Sequence, residues 1–242
     1  MLNTQTTRNT VLGGIAVALA FATTPVNAAL VTFTGSDPGA GSLATAPNSV
    51  AAAANFDAAA ALLGSEHIIT FESSPLGTFA SLNPAPGVTV TGADISGGNQ
   101  TIVNTSLCSN ALCGYNTTVG GSRFLQLFGG TATFSFSPGT SAFGAYLTGV
   151  QLVGETITFN DGSNQSVAIP NPGGSGGTDF VGFTDATKSI ASITITVLND
   201  IIGVDDVRYV GPSSSPVPEP ASLSILGAAM IGFALRRRNR SA

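Results

Sequence analysis

The fold class that the sequence predicts is all-β: a jelly-roll-like β-sandwich with one helix on its N-terminal side, set between an apolar leader and a short apolar C-terminal segment. Three observations carry that reading. From residue 67 onward the chain breaks into short β-branched and aromatic runs separated by Gly, Asn, Asp and Pro, the texture of strands and turns. Several of these runs alternate apolar residues with Thr or Ser, as a sheet with one buried and one wet face requires. Only one stretch of the body, Ala51 to Leu63, has the alanine density of a helix.

In chain order the leader comes first. An apolar run from Val11 to Ala22 follows a start whose basic residue is Arg8, and Pro25 and Val26-Asn27-Ala28 come after it. A short apolar core followed by small residues at the −3 and −1 positions is the pattern of a secretory signal peptide, here residues 1–28 with cleavage after Ala28 by signal peptidase. The body is then 29–212. Its helix, near 51–63, ends at Gly64, a suitable C′ residue.

Strands are expected at His67–Glu72, Gly87–Gly92, Thr131–Ser137, Ala142–Thr148, Glu155–Asn160, Ser166–Ile169, Asp179–Thr184, Ser189–Leu198 and Val204–Val210. In Thr131–Ser137 the inward set is Ala132, Phe134 and Phe136. In Ser189–Leu198 it is Ile190 or, in the opposite phase, Ile193, Ile195 and Val197. Asn160-Asp161-Gly162-Ser163 reads as a hairpin turn in which Gly162 is free to take positive φ. About nine short strands over roughly 150 residues point to a sandwich, most simply a jelly roll, and no fixed-period repeat supports a solenoid.

After a Ser-rich linker, 213–217, come Pro218-Glu219-Pro220, an apolar run from Ala221 to Leu235, and a basic tail, 236–242, containing Arg236, Arg237, Arg238 and Arg240. As a helix the apolar run is roughly 22 Å long against a hydrocarbon core of ~30 Å, so it spans a membrane only with local thinning or help from its flanks. The arginines hold its C-terminal end in the cytoplasm and leave the body on the outer side. Pro218 and Pro220 fix φ, and Pro220 disfavours helix at Glu219, so the motif is extended and open to a protease.

In this order of Pro-Glu-Pro, short transmembrane helix and arginine cluster, the chain resembles the PEP-CTERM family of exported bacterial proteins. The resemblance implies recognition and cutting near the motif by exosortase, a membrane protease, in a host that makes exopolysaccharide. It also implies an inner-membrane intermediate and a final place in the cell envelope, on the outer surface or in the extracellular matrix. Phe143-Gly144-Ala145-Tyr146, Phe180-Val181-Gly182-Phe183 and Gly203-Val204-Asp205-Asp206-Val207-Arg208-Tyr209 resemble the recurrent core of jelly-roll domains in that family, domains that look like carbohydrate-binding modules.

Composition narrows the function classes. Of 242 residues 43% are hydrophobic and only 9% charged, which argues against a disordered tail protein and a coiled coil. The formal charge of −5 hides a division: residues 29–220 hold three basic and thirteen acidic side chains, a formal −10, while the remaining five basic residues lie near the chain ends. So acidic a body excludes nucleic acid as partner. The single histidine, His67, excludes a multi-histidine metal site. Cys108 and Cys113, in an Asn/Ser/Gly-rich loop of an exported chain, are expected to form a disulfide; the alternative is a free or metal-binding pair, although two thiolates and one histidine do not complete a zinc site.

Among the acids, Glu72 closes the first expected strand and Asp205 and Asp206 open the last, and these two strands lie side by side in many jelly rolls. Three carboxylates with main-chain carbonyls would suit a structural Ca²⁺; the plainer reading has Asp206 facing solvent or pairing with Arg208. With no tryptophan in the chain, Tyr115 is the best candidate for an exposed sugar-stacking ring. The triplets Asn104-Thr105-Ser106, Asn116-Thr117-Thr118 and Asn164-Gln165-Ser166 are expected by chance in so Ser/Thr-rich a chain and carry no assignment. No nucleophile elbow, phosphate loop or His-Glu-x-x-His motif is present. The leading expectation is therefore a non-catalytic exported envelope or exopolysaccharide-matrix protein. The alternative is a module binding extracellular polysaccharide, and a third reading is a polysaccharide-processing enzyme built from two of the acids.

Overall fold

Alternating β-branched and aromatic residues drive most of the body into strands, and the computed structural model describes it over residues 30–160, 165–170 and 173–211. The elements are β1 (Val31–Pro38), α1 (Pro47–Ala60), β2 (Glu66–Ile69), β3 (Gly77–Thr78), β4 (Ser81–Ala85), β5 (Val88–Ala93), β6 (Thr101–Val103) and the one-turn helix α2 (Asn110–Cys113). They continue with β7 (Phe124–Thr140), β8 (Ala142–Thr148), β9 (Thr156–Asn160), β10 (Gln165–Ala168), β11 (Gly177–Thr184) and β12 (Ile190–Val210).

The spine is an antiparallel ribbon of the two longest strands, β7 and β12. Its register slips between Val197 and Ile201, opposite Gly129 and Gly130, both at positive φ. At that bulge the ribbon bends, as bulges with glycine permit. On one side β12 carries β9 and then β10, while β7 carries β5 and then β4. On the other, β12 carries β8, β11 and β1 in turn, β2 pairs with Val207–Val210, and β6 joins β7 and β3. The two wings fold over one core. Phe159 of β9 and Phe183 of β11, strands that share no ladder, meet across it with ring centroids 4.5 Å apart.

A second, smaller core lies on the outer face of β1, β8 and β11, where α1 buries Ala52, Ala53, Phe56 and Ala60 against Phe33, Tyr146 and Phe180. The Phe-Gly motifs explain this packing. Gly144 and Gly182 are register partners, and a Cβ on Gly182 would stand 2.7 Å from Phe56 Cδ2. Two bare positions side by side form the floor on which Phe56 rests.

The expected alternation holds: Ala132, Phe134 and Phe136 are buried, as are Ile193, Ile195 and Val197. Ile190 is buried too, because the register shift between Ile190 and Ser192 lets both phases face inward. Three expectations change. The helix is shifted earlier at both ends: Pro47 stands in its first turn, where a fixed φ and a missing N–H cost nothing, and it stops at Ala60, short of Gly64. The last two expected strands are one, since the bulge bends pairing without ending it. Four strands, β1, β3, β4 and β6, lie outside the expected set.

Pairing also orders the two poles of the domain. Val31 pairs with Thr184, which pairs with Ala142, while Tyr209 pairs with Phe143, so Leu30 and Gly211 leave the body at one end. Pro38 pairs with Gly177, and Thr148 pairs with both Thr178 and Gly203, at the other end. There the segments 39–46, 104–123 and 149–155 gather.

Candidate binding groove and carboxylate clasp

The geometry at the second pole begins with β12. After Gly203 and Val204, the register against β8 shifts between Asp205 and Arg208, with Asp206 at φ 43°. The shift places Asp205, fully buried, beneath the loop from Tyr115 to Arg123. Its Oδ2 accepts from the main-chain N–H of Thr117 at 2.7 Å and of Thr118 at 3.2 Å, and from Asn116 Nδ2 at 3.0 Å. Asp206 takes the hydroxyls of Thr117 and Thr118 on its two oxygens, at 3.1 and 2.6 Å. Glu72 follows Phe71, itself at positive φ, and its Oε1 accepts from Ser122 N, Arg123 N and Asn116 Nδ2 at 2.8–2.9 Å. Burial, then the neighbouring Asp206 charge, pushes the Asp205 carboxyl up to about 7 despite the N–H groups that favour its ionised form.

The structure thus brings together Glu72, Asp205 and Asp206, with Asn116 as the bridge. N–H and O–H donors, whose hydrogens carry positive charge, point at four of their six oxygens, and Asp205 Oδ1 is buried without a partner. Among the described residues no three His, Cys, Asp or Glu side chains are grouped to hold a metal ion. What is present is a hydrogen-bonded clasp that fastens the 115–123 loop to β12. Arg208 does not pair with the Asp206 carboxylate: its Nη1 donates to the Asp206 carbonyl, and its Nε stands 3.0 Å from Asp57 Oδ1, with the guanidinium over Tyr146.

Beside the clasp is an open groove of about 540 Å³. Ser42, Asn104, Thr105, Ser106, Asn110, Asn116, Thr117 and Ser122 supply amides and hydroxyls, Tyr115 and Phe124 supply rings, and no Asp, Glu, Lys, Arg or His is in its lining. One wall is braced by the expected disulfide, Cys108–Cys113, with Cα atoms 5.5 Å apart. Gln126 Nε2 donates to the Cys113 carbonyl and Gln151 Nε2 to that of Leu112, tying α2 to the sheet.

Tyr115 corrects the sequence reading. It is only 6% exposed, and its hydroxyl is 2.7 Å from that of Thr178, so it is a floor residue and offers no free stacking face. Burial raises its hydroxyl to about 12. His67 lies at the other pole, stacked on Tyr209. Sequence reasoning passed over Asn116, Thr117 and Thr118 as a chance triplet. Their roles depend on partners nearly ninety positions along the chain.

Ala28, Pro218, Glu219, Pro220, Arg236, Arg237, Arg238 and Arg240, with the segments 1–28 and 213–242, lie outside the described residues, as do Asp161, Gly162 and Ser163 of the expected turn. The pairing of β9 with β10 across that turn agrees with a hairpin. No helix among the described residues is long and apolar enough to cross a membrane. No curated protein matches the chain. A family model described as the PEP-CTERM protein-sorting motif matches residues 216–238, so the chain carries that motif, which supports an exported protein that is processed by exosortase and sorted to the cell surface.

Proposed function

We propose that this chain is a non-catalytic protein of the cell envelope or exopolysaccharide matrix, led out by a signal peptide at 1–28 and held by a transmembrane helix at 221–235 while exosortase acts at Pro218–Pro220. The observation that carries this reading is the sorting motif, beginning five residues after the last described residue of the body, Gly211. Ten residues, at most about 35 Å when extended, separate Gly211 from the start of the apolar run at Ala221, which keeps the body close to the membrane until exosortase acts. The jelly-roll assignment belongs to the same reading. It is supported by two β wings closing over one core and by the pairing of β2 with β12.

Fractionation of wild-type and exosortase-deficient hosts tests the proposal. The protein should reach the surface in the first and stay with the inner membrane in the second; the same surface distribution in both hosts would refute it.

A second reading, a module binding extracellular polysaccharide, is favoured by the groove. Amides and hydroxyls along its lining, with no ionic side chain, suit a neutral polyhydroxylated ligand. Pull-down on the host's own exopolysaccharide, with Asn104→Ala/Asn110→Ala as the comparison, separates it from a purely structural role. The groove has no titratable pair of its own for acid–base work, which supports a non-catalytic role; turnover of that polysaccharide would reverse the reading. For calcium at Glu72, Asp205 and Asp206, the free Oδ1 of Asp205 speaks in favour and the donors of the 116–123 loop speak against.

A further inference from the structure

A different set of carboxylates lies inside the main core. Glu155 stands just before β9 in the phase of Ile157 and Phe159, and Asp179 stands on β11 in the phase of Val181 and Phe183, all four of these apolar residues being core. Phe159 and Phe183 touch across the interior. Stepping back along each strand from that contact runs toward the bend of β12, since Phe159 pairs with Ile193 and Ile157 with Ile195, while the β11–β8 ladder leads from Phe183 to Asp179 toward Gly203. Glu155 and Asp179 therefore approach each other from opposite wings, beside the bulge that holds Asp200.

Both residues are fully buried, and all four of their carboxyl oxygens have no hydrogen-bond partner. Asp200 differs. Gln151 N, Gln151 Nε2 and Ile201 N donate to it at 2.6–3.1 Å; burial raises its carboxyl, and these donors act against that by favouring the negative charge behind the pair. The Ser36 hydroxyl on the adjoining strand tempers Asp179 without forming a bond to it. The described cations are elsewhere: Arg208 lies against Asp57 outside the sheet, Arg123 reaches the Ser74 carbonyl, and Lys188 lines the hollow by Pro138 and Ser141 at the opposite pole.

Unpaired carboxylates in an apolar core are costly, and this arrangement is the reverse of the clasp, where donors crowd the oxygens. Bare, oxygen-only ligands beside a further negative charge call for a hard cation. We propose that Glu155 and Asp179 form an inter-wing calcium site, with main-chain carbonyls and water completing a shell of six to eight oxygens. Two carboxylates are few for calcium, so the affinity falls in the weak range of extracellular modules, about 10⁻⁴–10⁻³ M. Burial and the charges of Asp200 and Asp179 hold Glu155 up at about 8, and Asp179 is raised to about 7, so calcium must displace protons to bind.

The test uses the full chain stripped with EDTA and held near pH 7.5, with calcium chloride added to about 10 mM, well above that affinity, at constant ionic strength. The melting midpoint should rise by several degrees, with protons released on titration in weakly buffered solution. In Glu155→Gln/Asp179→Asn both responses should vanish while the calcium-free midpoint equals or exceeds that of the wild type; in Glu72→Gln both should persist. A wild-type midpoint indifferent to calcium, or a calcium response surviving in Glu155→Gln/Asp179→Asn, would overturn the assignment. Calorimetric titration of the wild type alone decides if the double variant does not fold: no binding heat refutes the site.

Discussion

Replacing Asp205 separates a hydrogen-bonded clasp from every other reading of that cluster. Asp205→Ala removes the acceptor for Thr117 N, Thr118 N and Asn116 Nδ2, three donors at 2.7–3.2 Å. A donor left without a partner in a buried setting costs about 1–3 kcal/mol. Asn116 Nδ2 keeps Glu72 Oε1 and the Arg123 carbonyl as acceptors and water can reach part of the loop, so the two main-chain donors carry the cost, about 2–4 kcal/mol, reduced somewhat because a buried charge beside Asp206 is also removed. Asp205→Asn keeps one oxygen for the two main-chain donors and removes the same charge, so its cost should stay within about 1 kcal/mol. Urea unfolding near pH 8 measures both variants, and amide exchange at Thr117, Thr118 and Ser122 should accelerate in Asp205→Ala alone. Equal losses in the two variants would refute the clasp, because asparagine keeps an acceptor oxygen for the main-chain donors and alanine keeps none.

Two further outcomes follow from burial. Glu155 at about 8 and Asp179 and Asp205 at about 7 all lie above their unfolded values, so between about pH 4 and 8 the folded chain holds protons that the unfolded chain has released. Their contribution is complete below the unfolded values and is lost as pH rises through the folded ones, at up to about 1.4 kcal/mol per pH unit for each group. Melting in EDTA should therefore show a higher midpoint at pH 5 than at pH 8, and a flat or rising profile over that range would contradict the burial argument. Gly182→Ala drives a Cβ to 2.7 Å from Phe56 and should cost about 1–3 kcal/mol. Phe56→Leu in that background should recover part of the loss; additivity of the two changes would show that Gly182 does not make room for Phe56.

The all-β class and the phase of Ala132, Phe134 and Phe136 were legible because a two-residue period survives any tertiary arrangement. β1 was not. Its Thr, Gly, Ser and Asp residues resemble a loop, and it is a strand because β11 supplies all eight partners and Ser49 on α1 hydrogen-bonds Asp37. The expected strands stop at Leu198 and resume at Val204, whereas in that interval Asp200 caps a bulge through Gln151 and Ile201 and the strand continues. At the site, the nearness of Glu72 to Asp205 followed from first and last expected strands lying together. The donors that saturate them come from a loop with no periodicity to read. Glu155 and Asp179 were legible in principle: each shares its strand's apolar phase, and a carboxylate in such a phase marks a buried group.

The most direct test of the central claim is intact-mass and C-terminal peptide mapping of the protein recovered from the cell surface. Exosortase processing predicts a mature C-terminus near Pro218–Pro220 in the wild-type host, with the apolar run and Arg236–Ala242 removed, and the uncut C-terminus in an exosortase-deficient host. An exported protein that still carries Arg236–Ala242 in the wild-type host would contradict it.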